Sequence, residues 1–136
     1  MTESTHDHRP HYRFSWGRIE CFKYAGQGVA FMLRTQHNAW IHTALTFLVV
    51  GAGIAFRVTT AEWCWLILAM ASVWTAESFN TALEIIVDIA SPEYRPAAGH
   101  AKDVGAGAVL LCSIGAAAVG LIIFLPRIVH LAIGNA

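Results

Sequence analysis

Four polar residues in the middle of the chain have the spacing of one helical face. Glu77, Asn80, Glu84 and Asp88 follow one another at intervals of three, four and four residues. On a helix that turns about 100° per residue, such positions stay within an arc of roughly 80°. The run 85–87 beside them is apolar. Acidic groups in an apolar helix are costly unless they face a partner or a water-filled cleft, so this polar stripe indicates a functional site.

The residue types of the polar stripe suit chemistry on phosphate groups. Mg²⁺ prefers carboxylate oxygens and usually shares its other positions with water and substrate phosphates. A carboxylate can also accept the proton of an attacking hydroxyl group, and a lysine can offset the charge of a transferring phosphoryl group. Lys102 and Asp103 follow the stripe across a short loop. The alternative is that the stripe is a solvated surface at a helix end outside the bilayer.

The segments that carry these residues are apolar enough for a membrane. Of 136 residues, 56% are hydrophobic and 13% are charged. Three segments approach the length of about 20 residues that a helix needs to cross a hydrocarbon core, at about 39–56, 63–88 and 104–125. The formal net charge is zero, so the chain lacks the basic field that would attract nucleic acid, and we expect no nucleic-acid partner. The composition predicts an all-α membrane protein.

The residues before the first span predict a tail and an interfacial helix. Residues 1–14 are polar, and about 15–34 have an apolar side that suits a helix lying in the membrane interface. We expect 15–136 to form a single domain. Basic residues favour the cytoplasmic side of a span, and the connection after the first span holds only Arg57. The amino terminus and the polar stripe are therefore expected on the cytoplasmic side, since five basic residues precede that span: Arg9, Arg13, Arg18, Lys23 and Arg34.

Two motifs together resemble the signature of the small prokaryotic diacylglycerol kinases and undecaprenol kinases. That signature is E-x-x-N-[ST]-A-[IL]-E-x-x-V-D, followed by A-K-D at the start of the last span. Residues 77–88 read ESFNTALEIIVD, and 101–103 read AKD. The upstream run FKYA at 22–25 also resembles this family, as does the pattern Asn38-x-x-Ile41-His42. No Walker A motif, GxGxxG loop or GxSxG elbow is present.

The resemblance implies a trimer of three-span subunits with an amphipathic amino-terminal helix and composite active sites that use ATP and Mg²⁺. It implies that Glu77 is the catalytic base and contacts the lipid hydroxyl, with Asn80 in support. Glu84 looks like a metal ligand that also meets the nucleotide. Of the remaining matched positions, the resemblance implies nucleotide contacts for Tyr24, Lys102 and Asp103. It implies lipid contacts for Asn38 and His42. Asp88 is either part of the site or a structural anchor.

One segment departs from the family pattern. Where the undecaprenol type has E-x-N-x-R-x-H, residues 36–42 read QHNAWIH. Gln36 offers a carbonyl oxygen without charge, so we expect a weaker Mg²⁺ site in which Gln36 still faces the metal. Trp40 stands in place of the arginine. The same neighbourhood therefore differs from the family pattern at two positions.

The expected activity is transfer of the γ-phosphate of MgATP to a membrane lipid alcohol at the bacterial cytoplasmic membrane. Diacylglycerol, giving phosphatidic acid, is the first candidate substrate and undecaprenol the second. The rival class is a small cation-coupled transporter that uses Glu77 and Glu84 as intramembrane carboxylates. A catalytically silent membrane oligomer is the third alternative, and Gln36 adds some weight to it.

Overall fold

Four helices make up the part of the chain that the computed structural model describes, residues 18–93 and 95–134. They are α1 (Arg18–Thr35), α2 (His37–Ala55), α3 (Thr60–Ala90) and α4 (Pro96–Gly134). The all-α prediction is confirmed. The expected polar tail 1–14 lies outside the described residues, as does the beginning of the expected interfacial helix.

Short connections turn the last three helices back on one another. At the end of α2 the chain closes a Schellman motif, in which Val58 N–H donates to Gly53 O and Arg57 N–H donates to Ile54 O, both at 3.1 Å. The next helix, α3, packs most extensively against α4. Pro96 opens α4 at a position where its missing N–H is not needed. Consequently the end of α3, the start of α4 and the start of α2 meet at one end of the bundle, which we call the site end.

Two of the helices, α2 and α4, are long and apolar enough to cross a membrane. Three spans were predicted, and the second, at 63–88, corresponds to α3, which is not such a helix. The reason lies in its carboxyl half, where the polar stripe lowers the apolar content. The last helix is longer than the span predicted at about 104–125. It has 39 residues and continues to Gly134, which gives a helix length of about 58 Å.

A small apolar core holds the opposite end of the bundle, which we call the far end. Val58, Leu66 and Ile123 are buried there and bring together the α2–α3 turn, α3 and α4. An ion pair closes the same region, where Arg127 Nη2 lies 2.8 Å from Glu62 Oε2. Burial of apolar surface is the main stabilising term in folding. The far end therefore fixes how α3 and α4 lie against each other, and it leaves the site end free to carry polar groups.

The first turn of α3 carries a complete capping box, and its removal is a testable prediction. Thr59 N–H donates to Glu62 Oε2 at 2.7 Å, and the Thr59 hydroxyl in turn accepts from Glu62 N–H. We expect Thr59→Ala to lower the free energy of unfolding by about 1 kcal/mol, because the substitution leaves a helix N–H without its cap. Thermal unfolding in detergent measures the change. Thr60→Ala, at the neighbouring exposed threonine, is the control and should unfold near the wild-type temperature.

The same cap should make part of the stability depend on pH. The backbone N–H of Thr59, then its hydroxyl, and then Arg127 hold the pKa of Glu62 below its ordinary value of 4.5. Because the folded-state pKa is the lower one, this stabilisation is present above the ordinary value and is lost as the pH falls through the lowered pKa. The difference in free energy of unfolding between wild type and Thr59→Ala should become smaller in that acid range. A difference that stays constant there would contradict the assignment.

Candidate active site

A hydrogen-bonded trio of side chains occupies the site end. Asn80 Nδ2 donates to Glu84 Oε1 at 2.9 Å, one helical turn along α3. Gln36 Nε2 donates to the other oxygen, Glu84 Oε2, at 3.2 Å, across 48 positions of the sequence. Gln36 is the residue between α1 and α2, so this contact joins the start of α2 to the polar stripe. The Glu84 carboxylate is thereby held in one orientation by an amide on each side.

Glu77, one turn before Asn80, is the most unusual side chain of the stripe. It is 1% exposed. Among the residues that the structure describes, none donates a hydrogen bond to either of its carboxylate oxygens. It interacts electrostatically with His42 and with Glu84. Burying a carboxylate without hydrogen bonds is strongly unfavourable, so a donor from outside the described residues would stabilise Glu77.

A cavity of about 270 Å³ opens beside the trio. Asn38 and His42 of α2 line it together with Asn80 and Glu84 of α3, and Ser113 of α4 completes the polar lining. Three separate helices thus bring polar groups to one space. Convergent polar groups in a partly apolar cavity are the usual form of a small-molecule site.

Gly105 allows α4 to approach the stripe closely. A Cβ atom built on Gly105 would collide with Asn80 Oδ1, whereas one built on Gly107 or Gly115 would meet nothing within 4 Å. Of these three glycines, only Gly105 lies this close to another described residue, and its lack of a side chain gives Asn80 the space it occupies. The orientation of Asn80, and through it that of Glu84, therefore depends on a residue of α4.

Three further candidate nucleotide contacts, Tyr24, Lys102 and Asp103, are not members of the trio. Lys102 of α4 forms an ion pair with Asp88 at 2.5 Å, and both side chains are partly exposed. Asp88 is one turn beyond Glu84, about 6 Å further along α3. This pair joins the two helices across the loop, which is what a structural anchor would do. Asp103 and Tyr24 are exposed.

The donor set at the site end fits a magnesium ion. Among the described residues, no three His, Cys, Asp or Glu side chains form a group that could hold a metal ion by themselves. Mg²⁺ does not require such a group, since it commonly takes one or two carboxylates and completes its shell with water and phosphate oxygens. Glu84 would be the protein carboxylate. Gln36 would have to turn its amide, because in this arrangement it presents Nε2 to Glu84.

Several residues of the site end were missed by sequence reasoning. Ser113 has a buried hydroxyl without a partner among the described residues. Trp74 packs edge-on against His42, with ring centroids 6.4 Å apart, and its Nε1 donates to Thr46 at 3.1 Å. Trp74 lies one turn before Glu77 on α3, and this spacing was the available signal. Ser113 lies in an apolar run, where no local pattern distinguishes it.

These features define a class of protein: a membrane-type helical bundle with a buried carboxylate and an amide-held carboxylate at one end. Comparison with known proteins makes the assignment specific. Residues 23–124 match the family described as prokaryotic diacylglycerol kinase. An undecaprenol kinase of Bacillus subtilis is 34% identical over 110 residues, covering 81% of this chain and 89% of its own. A diacylglycerol kinase of Synechocystis is 38% identical over 111 residues, covering 81% of this chain and 63% of its own.

The chain belongs to the prokaryotic diacylglycerol kinase family. It is a lipid kinase, and the enzyme prediction is confirmed. Membership of a kinase family implies ATP as the phosphoryl donor. The transporter alternative is not supported, because the family of the chain is one of lipid kinases.

Proposed function

We propose that this lipid kinase transfers the γ-phosphate of MgATP to the hydroxyl group of diacylglycerol and so forms phosphatidic acid. One observation carries the proposal. Glu77 is a buried carboxylate whose two oxygens accept no hydrogen bond from the described residues. A lipid hydroxyl that donates to Glu77 would satisfy one of those oxygens and would place the nucleophile beside Asn80 and Glu84.

Glu77 then acts as the general base. The lipid hydroxyl gives its proton to a Glu77 oxygen while the hydroxyl oxygen forms a bond to the γ-phosphorus. The bond between that phosphorus and the β–γ bridging oxygen breaks, and ADP leaves with the electron pair. The proton on Glu77 afterwards returns to water. A base positioned in this way contributes about 100-fold or more to the rate.

Asn80, Glu84 and Gln36 orient the phosphate side of the reaction. The Asn80 amide fixes Glu84 from one side, and Gln36 fixes it from the other. Bound at Glu84, Mg²⁺ would supply charge neutralisation to the phosphate oxygens. Lys102 and Asp103 are proposed nucleotide contacts at the entrance. Lys102 would give up part of its interaction with Asp88 and bind a phosphate group of the nucleotide instead. Tyr24 of α1 is proposed to border the same entrance.

Asn38 and His42 are proposed to contact the lipid. Both line the cavity next to the trio. His42 also interacts electrostatically with Glu77, so a hydroxyl bound at Glu77 would lie near the imidazole. A lipid entering sideways from the bilayer would reach this point along the apolar faces of α2 and α4.

The proposed setting is the cytoplasmic membrane, with the amino terminus and the site end on the cytoplasmic side. In this arrangement α2, α3 and α4 all cross the bilayer, and α1 lies in its interface. We also propose a homotrimer. Many large apolar side chains are exposed on a single chain, among them Phe47, Leu111 and Ile122. Neighbouring subunits in the bilayer would cover part of this surface, and a neighbour would complete the surroundings of Glu77.

Undecaprenol is the second candidate substrate. The Bacillus subtilis undecaprenol kinase is matched over most of its length, and the Asn38-x-x-Ile41-His42 pattern also points to that type. Gln36 and Trp40 depart from the undecaprenol pattern in the same segment, which weakens the inference to undecaprenol.

A direct assay tests the activity and the substrate. Purified protein is given labelled ATP, Mg²⁺ and a panel of diacylglycerol, undecaprenol, ceramide and sphingoid alcohols. We expect transfer to diacylglycerol to be the fastest. Faster transfer to undecaprenol would replace the substrate assignment. Absence of transfer to every lipid by a folded protein would favour the silent oligomer and would overturn the proposal.

Gln36→Glu is expected to lower the Mg²⁺ concentration that gives half-maximal activity. The substitution places a second carboxylate where an amide now contacts Glu84 Oε2 at 3.2 Å. Two adjacent carboxylates repel one another without a cation and bind one more tightly. A Mg²⁺ titration of turnover measures the shift. Gln27→Glu, on the exposed side of α1, adds the same charge elsewhere and should leave the requirement unchanged. An unchanged requirement in Gln36→Glu would remove this residue from the metal site.

A further inference from the structure

The far end of the bundle contains a second pocket, with a volume of about 740 Å³. Its polar lining comes from Arg57, Arg127 and His130, and Phe56 and Leu131 supply part of its apolar wall. The pocket is separate from the active site. Glu62, which pairs with Arg127, is 15 residues before Glu77 on α3, a separation of about 22 Å.

Arg57 has a backbone conformation that is unusual for its residue type. Its φ is 50°, and it is the non-glycine residue with positive φ in the described part of the chain. It occupies the left-handed position of the Schellman motif after α2, which is most often glycine because a side chain is disfavoured there. A disfavoured conformation that persists is a reason to look for a function of the side chain.

The charges of the pocket do not cancel. Arg127 is balanced by Glu62, and its other nitrogen, Nη1, donates to Ile123 O. Within 18–93 and 95–134, neither a carboxylate nor a hydrogen-bond acceptor pairs with the Arg57 side chain. The Arg57 guanidinium therefore adds an unbalanced positive charge, and His130 offers a further hydrogen-bond donor. Guanidinium groups bind phosphate well because two of their N–H groups can donate in parallel to two phosphate oxygens.

The surroundings of the pocket suit a lipid. The pocket lies at the last turn of α2 and within the last third of α4, the two helices long and apolar enough to cross a membrane. The exposed side chains next to it along these helices are apolar: Ile54, Leu125 and Ile128. A molecule with its phosphate at Arg57 could lay its acyl chains on these side chains.

We propose that the far-end pocket binds the phosphate of an anionic phospholipid, with Arg57 as its main contact. This site is independent of catalysis, and the lipid is neither substrate nor product there. Inorganic phosphate shares the headgroup chemistry, but it would leave the apolar wall of the pocket unused. The occupant is therefore a lipid whose chains lie along α2 and α4.

Native mass spectrometry of the full chain in detergent tests the proposal, with phosphatidylglycerol and phosphatidylcholine as probes. Phosphatidylglycerol should bind wild type more tightly than phosphatidylcholine. Arg57→Gly should weaken phosphatidylglycerol binding about tenfold, the loss expected for one charge-assisted contact, and Arg57→Lys should retain most of it. Glycine accepts a positive φ, so Arg57→Gly should unfold at or above the wild-type temperature, which separates lost binding from lost folding.

Arg95→Gln, at an exposed arginine before α4, is the matched control for charge. It should leave phosphatidylglycerol binding within about twofold of wild type. Equal losses of phosphatidylglycerol affinity in Arg57→Gly and Arg95→Gln would overturn the proposal, because they would indicate that the anionic lipid is attracted to any exposed arginine. Unchanged binding in Arg57→Gly would also overturn it. Competition by inorganic phosphate as effective as that by the lipid would assign the pocket to a free anion and exclude the lipid.

Discussion

Glu77→Gln should lower turnover by at least about 100-fold while nucleotide affinity stays close to wild type. The substitution keeps the shape of the side chain but removes the base that would take the proton of the lipid hydroxyl. It leaves Asn80 and its hydrogen bond to Glu84 in place. Initial rates at saturating lipid and ATP give the loss in turnover, and a nucleotide-binding titration gives the affinity.

The same variant separates a catalytic from a structural role for Glu77. A buried carboxylate without hydrogen bonds costs more than a buried amide, so Glu77→Gln should be at least as stable to heat as wild type. Glu93→Gln, at an exposed carboxylate in the α3–α4 loop, makes the same chemical change outside the site and should turn over normally. Near-normal turnover in Glu77→Gln would remove Glu77 from the role of base.

Gly105→Ala should reduce turnover about tenfold or more, with a smaller effect on folding. The added methyl group would occupy the position of Asn80 Oδ1. That oxygen is the far end of a flexible side chain, so Asn80 can turn away and the helices can stay packed. The turn would break the 2.9 Å bond to Glu84 Oε1, and misplacing a group that orients the reactants commonly costs such factors in rate. Turnover and thermal unfolding of the same preparation measure the two effects.

Two other glycines of α4 serve as controls for this prediction. Gly107→Ala and Gly115→Ala add the same methyl group where nothing lies within 4 Å. Both should keep near-normal turnover, and alanine should stabilise the helix slightly because glycine is the weaker helix former. A loss in Gly107→Ala equal to that in Gly105→Ala would show that α4 tolerates no added volume, and the link between Gly105 and Asn80 would be rejected. A trimer contact at Gly107 would be the first explanation to examine.

The polar groups at the two ends of the bundle have different roles, one in stability and the other in the proposed ligand binding. At the far end Arg127 and Glu62 satisfy one another next to an apolar core, and the pair closes the fold. At the site end Glu77 is buried, and none of the described residues donates a hydrogen bond to its carboxylate. A buried carboxylate without hydrogen bonds lowers the stability of the fold, and such groups are retained at sites where a ligand supplies the missing hydrogen bond. The local stability of α3 should therefore fall from its first turn toward Glu77.

Sequence periodicity was sufficient for the helices and for the polar stripe. The intervals between Glu77, Asn80 and Glu84 are those of the helix itself, so their common face followed from backbone geometry alone. Apolar run length likewise indicated α2 and α4 as spans. It also predicted α3 as a span, but α3 is not one of the helices that are long and apolar enough to cross a membrane, because the polar stripe that makes the site also makes that helix less apolar. The extension of α4 to Gly134 was missed since Pro126 and Arg127 resemble a helix end.

What the sequence determined by itself was therefore the family, the all-α membrane-type fold and the stripe on α3, since each depends on local spacing. Tertiary structure alone decided that Gln36 meets Glu84 and that Lys102 meets Asp88. It also decided that Gly105 makes room for Asn80 and that Ser113 joins the cavity. These contacts link positions far apart in the chain, and their geometry depends on how the helices pack. Local periodicity fixes the face on which a side chain lies, but packing selects its partner.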